Sequence, residues 1–179
     1  MHVPETVSQN VIELNLSMID RALATLQRIG IEDYQRSAKI IYGSSCGSHF
    51  RHIIQHYEGF LSGVGTGEVD YDQRDRDAES GRDPKAAERA LREIRNKLSQ
   101  LAHGGTLRVQ QNHNPALSAP SAFSSVEREL QFLLSHTVHH FAVIGIAMHS
   151  YGISLPDDFA LAPSTAFYLQ SRAMTSAMC

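Results

Sequence analysis

The stretch from Ser124 to Met148 constrains this chain more than any other, because it combines a helix-start signal, a helical apolar stripe and three histidines. At about 100° per residue, Val126, Leu130, Leu133, Thr137, Phe141, Ile144 and Met148 fall on one face of a single long helix. A stripe of that length must be buried against other helices. Ser124 followed three residues later by Glu127 matches a capping box and places the start of the helix. His136 and His140, four apart on the flank of the stripe, can offer two imidazole nitrogens to one point, whereas His139 is turned away. A metal needs more than two ligands, so the remainder must come from another segment.

Three further segments have helical periodicity. Val7, Val11, Leu14, Met18, Ala22, Leu26 and Ile29 define a first helix over about Thr6–Ile29, which Gly30 ends. A serine of Gly43-Ser44-Ser45 can cap a second helix running to about Leu61, where Phe50, Ile53, Ile54, Tyr57 and Phe60 make a broad apolar face. His49, His52 and His56 lie along one border of that face. Asp83-Pro84 starts a third helix that continues to about Leu101 and stops at Gly104-Gly105.

The connection from Glu68 to Asp83 is dense in charge, including Asp70, Asp72, Arg74, Asp75, Arg76 and Asp77. The segment from Thr106 to Pro120, with Asn112, Asn114 and Pro115, predicts an irregular crossing with a short extended piece at Leu107-Arg108-Val109. Beyond Tyr151-Gly152, a tail of turns with one short helix is expected from about residue 153. Four helices with two long connections and little strand signal predict an all-α four-helix bundle, one domain over residues 1–179.

The net charge of −3, without a basic stripe, argues against a nucleic-acid partner. The N-terminus lacks a signal-peptide pattern, and polar residues interrupt the apolar run around Leu130–Met148, so no membrane span is expected. Two cysteines, Cys46 and the terminal Cys179, form no disulfide framework and suit a cytoplasmic protein.

If the histidine borders of the second and fourth helices meet, one imidazole from the former joins His136 and His140 in a three-nitrogen site suited to zinc, nickel or iron. Spacing alone does not choose among His49, His52 and His56, although His52 lies within one turn of both others. Other features carry less. The charged run around Asp72 reads first as a solvated loop, Cys46 as a small buried thiol, and Gly63-x-Gly65-x-Gly67 lacks the strand and lysine of a phosphate loop.

With both clusters in hand, the sequence resembles the DinB-like superfamily, which includes YfiT-like proteins and bacterial thiol transferases. Ser45-Cys46-Gly47 followed by His52 matches that family's motif on the second helix, and His136-x-x-x-His140 matches the one on the last, over roughly Val7 to Tyr151. The resemblance implies a metal held by His52, His136 and His140, a long crossover between the second and third helices, and a homodimer. Arg51 and Phe141-Ala142-Val143 depart from the usual flanks, where many members have an aromatic and Arg-Gly-Gln.

The resulting expectation is a metal-dependent enzyme that activates water for hydrolysis, or a low-molecular-weight thiol for transfer, on a small-molecule substrate. His56 or an Asp of the Asp70–Asp77 segment, Asp72 in particular, is the candidate proton acceptor. The alternative is a non-catalytic metal-binding or dimerisation bundle.

Overall fold

A computed structural model describes residues 5–72, 75, 78–102, 104–112, 116, 118 and 120–177. In chain order the elements are α1 (Glu5–Leu26), α2 (Ile31–Gln35), α3 (Cys46–Gly63), β1 (Glu68–Asp70), α4 (Pro84–Ser99), β2 (Thr106–Gln110), β3 (Ser121–Ser125), α5 (Val126–Ser150) and α6 (Pro163–Ala177). Arg74, Arg76 and Asp77 of the charged run, and Asn114 and Pro115 of the predicted crossing, lie outside the described residues.

The four long helices predicted from periodicity are α1, α3, α4 and α5. Each of α1 and α3 packs against both α4 and α5. Every residue of the predicted α5 stripe, from Val126 to Met148, is buried. It meets a core that includes Met18, Ile19, Phe50, Phe60, Leu91 and Leu98. By length and composition α5 could cross a membrane, but its apolar stripe is spent on this core. A buried polar network crosses the core as well. Asn15 donates to the carbonyls of Val11 and Leu130 at 2.7 and 3.1 Å, and its Oδ1 accepts the Tyr57 hydroxyl at 2.7 Å. Those bonds tie α1 to α3 and α5 without leaving the amide unsatisfied.

The expectation of an all-α chain is corrected by a three-stranded sheet. The extended piece predicted at Leu107–Val109 is the centre of β2, which pairs parallel with β1 and antiparallel with β3. Glu68 sits opposite Arg108, and Arg108 opposite Phe123. β3 has the sequence Ser-Ala-Phe-Ser-Ser, with little of the β-branched and aromatic content that marks strands, and only Leu107 of β2 is deeply buried. Pairing with distant residues, rather than local propensity, makes this sheet.

The sheet also moves the start of α5 by one residue. Ser124 is the register partner of Leu107, so Ser125 is the N-cap, its hydroxyl accepting from the Arg128 N–H. The capping box expected on Ser124 and Glu127 is therefore replaced by a single cap. The predicted serine cap of α3 is Ser45, which forms a reciprocal capping box with Ser48. The C-terminal tail holds a fifteen-residue helix, α6, longer than the short one expected.

Candidate metal centre

Contact between α3 and α5 brings the two histidine borders face to face. Ligand nitrogens of His52, His56 and His136 all lie within 4.8 Å of one another, close enough to bind a metal ion. His140 adjoins them, its Nε2 being 3.2 Å from His136 Nε2, which is itself 3.2 Å from His52 Nε2. Zinc–nitrogen bonds at a tetrahedral angle set two ligand nitrogens ~3.3 Å apart, so both separations suit a shared cation. His139 is exposed, as its facing predicted.

The hydrogen-bond chain behind the cluster decides which nitrogens carry protons. Ser44 Oγ donates to the Ile41 carbonyl at 2.6 Å, which leaves it to accept from His49 Nε2–H at 2.9 Å. His49 Nδ1 is then the acceptor of a bond from His140 Nδ1–H, also 2.9 Å. That leaves a bare lone pair on His140 Nε2, directed at His136. On the other side, His56 Nδ1–H donates to the His52 carbonyl at 2.8 Å, so its Nε2 is unprotonated as well. Orientation of ligand imidazoles by such outer bonds is what a metal site requires. His136 Nδ1 is the exception, a buried nitrogen with no hydrogen-bond partner among the described residues.

Burial and crowding keep His136 and His140 neutral. The proton affinity of His136 is lowered to a pKa of about 2, first by desolvation and then by His56, His140 and His52. That of His140 is lowered to about 3, again first by burial and then by His52 and His49. His49 is shifted in the same direction, chiefly by burial. Neutral imidazoles at ordinary pH need lose no proton before binding a cation. The donor set and its protonation therefore fit a divalent transition metal.

Two aromatic side chains wall the cluster. Tyr71, just after β1, stacks on His56 with ring centres 5.4 Å apart, and Phe132 lies 5.6 Å from His136. Both also line a cavity of about 420 Å³ between the sheet and the start of α5, whose lining includes no histidine among the described residues. The Tyr71 hydroxyl donates to Glu129 at 2.9 Å, and burial followed by that carboxylate raises its pKa. Sequence reasoning missed Tyr71, Phe132 and Glu129. Phe132 and Glu129 lie on α5 but off its apolar stripe, and Tyr71 stands in a run dominated by charge.

The other sequence candidates fare differently. His56, expected to accept a proton, stands among the possible ligands and is 2% exposed. Asp72 accepts the Asn112 N–H at 2.5 Å, and no hydrogen bond or ion pair joins it to a histidine among the described residues. Cys46 is buried, and burial, then Asp33, pushes its thiol up to about 12, so it stays protonated.

The fold and this cluster define a mostly helical protein with a histidine group able to hold a metal. No protein-family model matches the chain, and no solved structure does. It is similar to the FK506-binding protein 5 of Rhizopus delemar, at 27% identity over 113 residues. That similarity covers 58% of this chain, and the chain spans 28% of the length of that relative.

Proposed function

We propose that the protein is a metal-dependent enzyme of the DinB-like kind, acting on a small molecule as a hydrolase or a thiol S-transferase. The observation that carries this reading is the convergence of imidazole nitrogens from two helices, those of His52, His56 and His136 lying within 4.8 Å of one another. His52 and His136 are common to the group within 4.8 Å, which His56 completes, and to the expected triad, in which His140 is the third ligand. Zinc, nickel or iron held there would supply Lewis acidity, lowering the pKa of a water or a low-molecular-weight thiol at neutral pH.

The chain's own groups do the rest. His49 and Ser44 hold the His140 ring in one tautomer. The His52 carbonyl holds His56 so that its Nε2, when not a ligand, can accept a proton from the nucleophile. Tyr71 and Phe132 exclude water from one side. Asp72, engaged with Asn112, is left out of the proton path. A cytoplasmic homodimer belongs to the same reading.

A second reading has an observation of its own. With His140 Nε2 at 3.2 Å from His136 Nε2, four imidazoles could close around one ion, making the site structural. Cobalt(II) substitution separates the two. An open site gives a visible spectrum that changes when a small thiol is added, and a closed four-histidine site gives one that does not.

A further inference from the structure

We propose that the cavity beside the histidine cluster binds the zwitterionic end of a small amphipathic molecule, the simplest of the class being an α-amino acid with an apolar side chain. The inference turns on Arg128 and Glu129, which the metal reading does not use, although Tyr71 and Phe132 wall both sites, and it stands whether or not a metal binds.

The cavity, about 420 Å³, falls within the range of small-molecule sites. Its walls are apolar at Tyr71, Val109, Phe123 and Phe132, and its two charges, Arg128 and Glu129, are adjacent. Glu129 is fixed. Its Oε2 accepts the Tyr71 hydroxyl at 2.9 Å and its Oε1 accepts the Ser124 hydroxyl at 2.5 Å, with the side chain only 6% exposed. A carboxylate has about four acceptor sites, so roughly two remain for a ligand's N–H groups.

Arg128 is complementary to it. Its Nη1 forms an ion pair with Glu129 Oε1 at 3.7 Å, too long for a hydrogen bond, and its guanidinium makes no hydrogen bond among the described residues. It lies 5.9 Å from the centre of the Phe132 ring, at the cavity's solvent side with 60% of its side chain exposed. A lone anion at this guanidinium would meet the Glu129 carboxylate, and a lone cation at Glu129 would meet Arg128. A molecule carrying both charges on neighbouring atoms satisfies the pair at once. Its apolar part would then cover Phe123, which is 78% exposed.

Three probes of one skeleton test this by titration calorimetry: L-phenylalanine, 3-phenylpropionate, which lacks the ammonium, and phenethylamine, which lacks the carboxylate. L-Phenylalanine is expected to bind at least about ten-fold more tightly than either, as charge-assisted bonds at both ends require. Arg128→Gln, a surface change whose folding is checked by thermal melting, should abolish the preference of L-phenylalanine over phenethylamine, weakening the first and strengthening the second. Equal binding of all three probes, no binding of any, or an Arg128→Gln variant that behaves like wild type would each overturn the proposal. Chelator-treated and zinc-supplemented protein are titrated in parallel. A chain that takes up no zinc thus fails the metal reading while still reporting on this cavity.

Discussion

Acid should destabilise the metal-free protein through its histidines, by an amount that follows from their burial. In the folded chain His136 and His140 resist protonation down to about 2 and about 3, whereas the unfolded chain has ordinary histidines near 6.5. Above 6.5 both states are neutral and the contribution is complete. Below it the unfolded state takes up protons that the folded state refuses, so stability is lost progressively as pH falls from 6.5 towards 3. One such group costs about 2 kcal/mol between pH 6.5 and pH 5, at about 1.4 kcal/mol per unit. Two give about 4 kcal/mol, a large part of the ~5–15 kcal/mol that holds a typical domain together. Urea unfolding of chelator-treated protein at pH 7, 6 and 5 measures this directly. A His136→Phe variant, which removes one of the two groups, should show about half the loss. A stability that is level or rising towards pH 5 would mean that the imidazoles charge freely in the folded state, and the buried neutral cluster would be refuted.

Other expectations concern the frame around the site. Tyr57→Phe leaves Asn15 Oδ1 buried without its donor. It should cost about 1–3 kcal/mol in urea unfolding with no change in metal content. Gly63→Ala would drive a methyl into the backbone of Glu68 and Val69 where α3 meets β1. A loss of about 1–3 kcal/mol is expected, read as a lower melting temperature. Asp72→Ala removes the acceptor of the Asn112 N–H but should spare metal binding, and its loss of bound metal would restore Asp72 to the site.

Legibility in the sequence followed how local the cause was. Each long helix has its own periodicity, so α1, α3, α4 and α5 could be placed from the chain alone, and Ser45 and Asp83 marked two starts where they cap. The sheet could not be read this way. Its strands are short and poor in strand-forming residues, and Glu68 meets Arg108 only after α4 has intervened. Misplacing the α5 cap at Ser124 followed from missing that sheet, because only pairing with Leu107 shows that Ser124 is still strand.

At the site, two borders of histidines were visible as i, i+3 and i+4 patterns. Which nitrogens meet depends on how α3 and α5 cross, and the pattern carries no information on that. Hence His56, a candidate base that spacing also left open as a ligand, stands in the three-nitrogen group, and His49 serves as the support of His140. The carboxylate expected from the charged loop is instead engaged with the backbone of Asn112, a long-range bond that spacing cannot reveal.

The central claim is that His52 and His136 hold a divalent metal between α3 and α5. Elemental analysis of untagged protein, beside His136→Ala and His139→Ala variants, tests it most directly. The account predicts near-stoichiometric zinc, nickel or iron in the wild type and in His139→Ala, and none in His136→Ala. No transition metal in the wild type even after reconstitution, or full retention by His136→Ala, would contradict it.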